Sequence, residues 1–193
     1  MKVLGVVCSP RQGGNTEIMV KEALASAGEA GARTELVSVS GKNIAPCDGC
    51  NGCRKTGVCL VKDDMQAIYQ EMETADGIIF GSPVYFGSVS AQGKAVMDRT
   101  FAFLWQQKLK GKAAAPILAV RRVGAGQTRN FLYGFFMVHG MIPVRGAIGY
   151  GMEKGDVLKG VGGSVNLSAM EEARNVGRDI VGAINQKEAG HGK

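Results

Sequence analysis

The sequence predicts an α/β fold, a doubly wound five-stranded parallel sheet in the order 2-1-3-4-5 with a cysteine-rich loop inserted after the second strand. Three observations carry this expectation. Short, almost wholly apolar runs alternate with stretches of helical length, the pattern of strands buried on both faces beneath crossover helices. Glycines and hydroxyl residues gather just after the apolar runs, at the carboxyl ends of the strands, where such sheets bind ligands. Four of the five cysteines crowd into one segment that interrupts the strand–helix rhythm once.

Residues 2–8 make the first strand, with Cys8 at its end as a small buried hydrophobe. A phosphatase nucleophile at Cys8 is excluded, because C-x5-R chemistry needs arginine where Gly14 stands. The loop Ser9-Pro10-Arg11-Gln12-Gly13-Gly14-Asn15-Thr16 feeds a helix running to about residue 27. A glycine- and hydroxyl-rich loop at a helix N-terminus is a phosphate cradle, with free N–H groups and the positive dipole end facing the anion. Ser9, Asn15 and Thr16 offer side-chain donors, Arg11 offers charge, and Gly14 lets the backbone approach closely. Neither a P-loop ending nor a G-x-G-x-x-G fingerprint is present; the plainer alternative is a turn capped by Asn15 or Thr16.

Residues 34–39 form the second strand, and Asp63 and Asp64 cap a helix to about residue 74. Residues 77–82 form the third strand, which opens into Pro83-Val84-Tyr85-Phe86-Gly87-Ser88-Val89-Ser90 before a helix over about 91–104. Such a loop suits a planar heterocycle, with backbone N–H groups against its edge and Tyr85 or Phe86 covering its face; alone it also reads as an aromatic lid on the core. Residues 114–120 form the fourth strand, followed by a loop over 121–127 in which Gly124 and Gly126 are a weak ligand signal. A helix over about 128–139 and a fifth strand over 141–148 come next. His139 reads as a packed or capping residue. Residues 149–166 are glycine-rich and irregular, Ser168 caps a last helix to about residue 185, and 188–193 form a frayed tail in which His191 has no role. Residues 1–187 are thus expected to form a single domain, with the cysteine loop at about 41–62. In the 2-1-3-4-5 order a flavin occupies the crevice between strands 1 and 3, and the phosphate loop and aromatic loop converge there.

The cysteines Cys47, Cys50, Cys53 and Cys59 follow a C-x2-C-x2-C-x5-C spacing. Thiols so close together cannot all pair as unstrained disulfides, but they can turn onto one compact metal centre. Overlapping C-x2-C pairs match the run that binds an iron–sulfur cluster, and the five-residue gap lets Cys59 fold back onto the same cluster. Zinc and free thiols remain alternatives. The other bounds are ordinary: 193 residues, 45% hydrophobic and 21% charged. No apolar run is long enough to span a bilayer and no leader precedes the first strand, so a cytoplasmic location without membrane contact is expected. The net charge of +6 is scattered, which argues against nucleic acid and leaves a modest attraction for anionic cofactors or acidic electron-transfer partners.

With these residues in hand, the chain resembles the iron–sulfur flavoprotein branch of the NADPH-dependent FMN reductase family. The matching pieces are Ser9-Pro10-Arg11 with Gly14-Asn15-Thr16, the four-cysteine loop followed by Asp63-Asp64-Met65, and Ser82 to Gly87; to these add Val89-Ser90-Ala91-Gln92, Lys94 and Asp98-Arg99. The resemblance implies a flavodoxin-like fold and FMN held by the first, third and fourth βα loops. On these positions it implies contacts from Ser9, Arg11, Gly14, Asn15, Thr16, Pro83, Val84, Tyr85, Phe86, Gly87, Gly124 and Gly126. It further implies a [4Fe–4S] cluster on the four cysteines near the FMN of a neighbouring subunit, in a homodimer or homotetramer. The expected function is electron transfer between a one-electron, ferredoxin-like carrier and two-electron flavin chemistry, with no side chain required as acid, base or nucleophile. The alternatives are a flavin-only NAD(P)H-dependent FMN or quinone reductase, and a non-enzymatic redox carrier or sensor.

Overall fold

A parallel sheet forms the centre of the computed structural model, which describes residues 1–160, 162 and 167–191. The elements are β1 (Lys2–Val7), α1 (Asn15–Glu29), β2 (Arg33–Ser38), α2 (Cys53–Thr56), α3 (Met65–Thr74), β3 (Gly77–Pro83), α4 (Ala91–Arg99) and α5 (Phe101–Leu104). Then follow β4 (Ala113–Val120), α6 (Ala125–Val138), β5 (Ile142–Pro143), β6 (Ala147–Tyr150), a 3₁₀ turn at Asp156–Leu158 and α7 (Ala169–His191). The strand order is β2-β1-β3-β4-β5, with β6 also paired to β4, and all these strand pairings are parallel. The expected doubly wound order is therefore present.

Period-two alternation assigns each strand residue to one of two cores. Val3 and Val7 of β1, Ile79 of β3 and Ile117 of β4 pack with α1 and α7, while Leu4, Val6, Phe80 and Leu118 pack with α3, α4 and α6. Gly5 and Gly81 are bare for a reason. A Cβ at either would lie 2.6 or 2.5 Å from a Val20 methyl, so α1 can sit this close to β1 and β3 only over glycine. That spacing brings the N-terminus of α1 down onto the carboxyl end of the sheet.

Four local expectations are corrected. The fifth strand over 141–148 is two pieces, β5 and β6, because Pro116 of β4 has no N–H to offer and Gly146 runs hard against it; a Cβ there would be 2.7 Å from the Pro116 carbonyl oxygen. The helix over 91–104 breaks at Thr100, whose hydroxyl donates to the Met97 carbonyl at 2.6 Å and tightens the turn. Helix α6 begins at Ala125 rather than 128, started by Gly124 at φ +93°. Helix α7 continues to His191, because Gln-Lys-Glu-Ala over 186–189 are compatible with helix in solvent. Ser168 caps α7 as expected, its hydroxyl accepting from the Glu171 N–H at 3.2 Å while the Glu171 carboxylate accepts from the Ser168 N–H at 2.7 Å. The expected irregular stretch holds β6 and the 3₁₀ turn; its residues 161 and 163–166, like 192–193 of the expected tail and the side chain of His191, lie outside the described residues. Among the described residues no helix is long and apolar enough to cross a membrane.

Candidate functional site

The first loop turns on Ser9, whose hydroxyl oxygen accepts from the Arg11 N–H at 3.1 Å. Helix α1 (Asn15–Glu29) is preceded by Gly14 in extended conformation as its N-cap, without a side-chain cap, so the alternative in which Asn15 or Thr16 caps the turn does not hold. The N–H of Gly13 donates to the Glu17 carboxylate at 2.7 Å. The Lys21 ammonium holds that carboxyl below its usual range; burial opposes it and the Gly13 N–H assists. The N–H groups of Asn15 and Thr16 open the first turn, where a helix has no internal acceptors to offer.

The third loop is closed at its base by two serines. Ser82 Oγ accepts from the Ser90 N–H at 3.0 Å, and Ser90 Oγ accepts from the Gly93 N–H at 3.0 Å while donating to the Cys8 carbonyl at 2.5 Å. Ser90 therefore caps α4 and ties the end of β1 to the end of β3. At the loop's tip Tyr85 and Ser88 exchange backbone hydrogen bonds of 2.9 and 3.0 Å around Phe86 and Gly87. Both tip residues have positive φ, +50° and +74°. An aromatic residue in that region is strained, and here it stands fully exposed at the rim of a crevice.

That crevice joins Ser9, Arg11, Gly14, Asn15, Thr16, Pro83, Val84, Tyr85 and Phe86, together with Ala119, Arg121, Gly151, Met152 and Lys154. Gly87, Gly124 and Gly126 line an adjoining groove that shares Phe86 with it. The third and fourth loops touch there: a Cβ on Gly124 would lie 2.9 Å from the Gly87 Cα. Asn15 stands in the crevice wall, but its amide is already engaged, donating to the Glu153 carbonyl at 2.8 Å and accepting from the Gly155 N–H at 2.8 Å. It thereby docks residues 153–155, and Lys154 reaches over the first loop toward the Gln12 carbonyl at 3.4 Å. Sequence reasoning did not single out Lys154 or Met152. The signal available was their place after β6, at the same carboxyl end of the sheet. The crevice fits a phosphorylated flavin: the N-terminus of α1, three cations (Arg11, Arg121 and Lys154) and the aromatic rings of Tyr85 and Phe86 all line it.

The cysteine segment lies between β2 and α3, with only the single turn of α2 as regular structure. Gly49, Asn51 and Gly57 adopt φ of +70°, +58° and +66°, which curls the chain so that Cys47, Cys50, Cys53 and Cys59 line one cavity. Cys47 and Cys50 are exposed, Cys53 and Cys59 buried, and all are free thiols. Burial pushes the Cys53 thiol up, and the neighbouring Cys59, Cys47 and Cys50 add to the rise. Among the described residues no group of three His, Cys, Asp or Glu side chains closes far enough to hold a metal ion. The donor set nevertheless fits a thiolate-bound cluster in kind and number, four sulfurs around one space.

The neck of this loop is stitched by groups that sequence reasoning read only as helix caps. Asp64 accepts from the Asn43 N–H at 2.7 Å; Asp63 accepts from the Ala45 and Met65 N–H groups at 2.9 and 3.1 Å. Arg99, at the end of α4, grips Asp63 with both terminal nitrogens at 2.7 and 3.0 Å and reaches the Ala45 and Val61 carbonyls at 2.8 and 3.3 Å. Burial works against the charge on Asp63, but the guanidinium and the two N–H donors outweigh it and hold the carboxyl below its usual range. The remaining candidates are inert. Burial pushes the Cys8 thiol up, and it pushes His139 down where His139 Nε2 meets the Thr100 hydroxyl at 2.9 Å.

Comparison with known proteins agrees with this arrangement. Residues 1–153 match the model of the family described as NADPH-dependent FMN reductase. An iron–sulfur flavoprotein of Methanocaldococcus jannaschii is 39% identical over 196 residues, covering 95% of this chain and 97% of that protein. An iron–sulfur flavoprotein of Methanosarcina thermophila is 40% identical over 149 residues, covering 75% and 77%. The crystal structure of a flavodoxin, a WrbA-like protein from Agrobacterium tumefaciens, superposes with a TM-score of 0.65 at 18% identity over 96% of this chain and 98% of that one, a likeness of fold. The chain belongs to the NADPH-dependent FMN reductase family, in its iron–sulfur flavoprotein branch, and is a flavodoxin-like, FMN-dependent oxidoreductase.

Proposed function

We propose that the chain transfers electrons between a one-electron, ferredoxin-like carrier and FMN, through a [4Fe–4S] cluster held by Cys47, Cys50, Cys53 and Cys59. The observation that carries this reading is the single cavity lined by all four thiols. Bound FMN supplies exchange of one or two electrons and the cluster supplies exchange of one at a time. The chain's own residues bind and orient. The first turn of α1, Arg11, Arg121 and Lys154 take the phosphate, the backbone of residues 83–87 with Gly124 and Gly126 takes the flavin edge, and Tyr85 and Phe86 shield its face.

Cavity and crevice share no lining residue, so we place the partner flavin on a neighbouring subunit of a homodimer or homotetramer. The exposed apolar side chains support this: Val58, Leu60 and Trp105 near the cysteines, Phe86 and Val123 beside the crevice. NAD(P)H is the alternative donor.

Anaerobically purified protein should show flavin bands on a broad absorbance near about 400 nm, with about four irons and four sulfides per FMN. Cys50→Ser should remove the iron and leave FMN bound; iron retained in full would refute that ligand. Flavin without iron in the native protein would leave a flavin-only reductase.

A further inference from the structure

We propose that Arg99 donates its Nε–H to the sulfur shell of the centre held by the four cysteines, and so raises the tendency of that centre to accept an electron. The inference rests on the iron–sulfur reading above. A guanidinium carries five N–H donors. In Arg99 the two terminal nitrogens are committed to Asp63, Ala45 and Val61, all on the loop neck. Nε has no partner, and among the described residues it is the one buried side-chain nitrogen or oxygen without one. The residue is 1% exposed, so no bulk water serves it. Folded proteins rarely leave such a donor unmet, because its desolvation is then uncompensated.

Two side chains besides Asp63 adjoin the guanidinium, those of Tyr69 and Cys59. The Tyr69 hydroxyl donates to the Arg99 carbonyl at 2.7 Å and does not serve Nε, whereas Cys59 lines a cavity together with Arg99, Cys47, Cys50 and Cys53, and the missing acceptor is assigned there. Thiolate and sulfide sulfurs accept hydrogen bonds, and gain negative charge when the centre is reduced, so a positioned N–H donor favours the reduced form. The bidentate grip of Asp63 prevents the guanidinium from rotating away. Arg99 is thus a positioning and tuning residue rather than a ligand.

Arg99→Lys keeps the positive charge facing Asp63 and removes Nε–H. Iron and FMN are quantified first, then the midpoints of cluster and flavin are read by an EPR-monitored redox titration. The expected result is a full complement of iron, an unmoved flavin midpoint, and a cluster equilibrium shifted at least tenfold toward the oxidised form, which is 59 mV for one electron. An unmoved cluster midpoint in an iron-replete variant overturns the proposal and leaves the cluster reading standing. Native protein that binds no iron overturns the cluster reading itself. Should the variant lose its iron, reduced native protein labelled with arginine carrying ¹⁵N at Nε only, which leaves the Arg54 amide beside Cys53 unlabelled, decides by pulse EPR: a ¹⁵N coupling to the cluster supports the proposal, and its absence overturns it.

Discussion

The loops over residues 9–16 and 43–61 both follow strands at the carboxyl end of the sheet, yet they are held differently. The first is short, seated on a helix that packs directly on β1 and β3 through Gly5 and Gly81, and tied across to the third loop through Ser90 and Cys8. Its shape is a by-product of the core. The second is long and nearly without regular structure, and its neck is held by one buried ion pair with the hydrogen bonds around it. The difference is one of how each site is prepared: the sheet preforms the crevice, whereas the cysteine loop is clamped at its base and left to be organised by whatever its thiols bind.

The largest expected effect comes from breaking the clamp. Asp63→Asn leaves the Arg99 charge buried and uncompensated, which should cost about 3–5 kcal/mol in urea unfolding. A loss under 1 kcal/mol would show that something else holds the loop. The pH dependence has a definite sign: the Asp63 carboxyl is depressed in the folded state, so its contribution is complete above the unfolded value near about 3.9 and drains away as pH falls through the lower folded value. The variant should lack that acid-labile component.

The crevice should break from the core instead. Gly81→Ala places a methyl 2.5 Å from Val20 and pushes α1 away, costing about 1–3 kcal/mol. FMN binding should weaken with it while iron content stays constant; equal loss of both cofactors would erase the distinction drawn between the loops. Lys154→Ala tests the electrostatic wall alone. FMN affinity should fall about tenfold, or about 1.4 kcal/mol, with Lys154→Arg restoring it, as calorimetry would show. Unchanged affinity would remove Lys154 from the phosphate site. The smallest effect concerns strain: Phe86→Asn suits the positive φ and should raise stability by up to about 1 kcal/mol, with weaker flavin retention. A destabilised variant would mean that the Phe86 ring makes a contact outweighing the strain.

By itself the sequence determined the first four strands, the order of the sheet, the loops after β1 and β3, and the spacing of Cys47, Cys50, Cys53 and Cys59. These features are local: alternation along a strand, glycine and hydroxyls before a helix, ligand spacing along a few residues. Tertiary structure alone decided the rest. Asp63 and Asp64 read locally as caps, and only a partner 36 residues away makes Asp63 half of a clamp. Asn15 reads as a ligand donor, yet it is spent on a carbonyl 138 residues distant, which in turn delivers Lys154 to the phosphate loop. The fifth strand splits because Pro116 lies opposite it, a fact of register that the pattern over 141–148 does not contain. A hydrogen bond or a steric stop between remote residues depends on how the whole chain closes, so short-range pattern carries no trace of it.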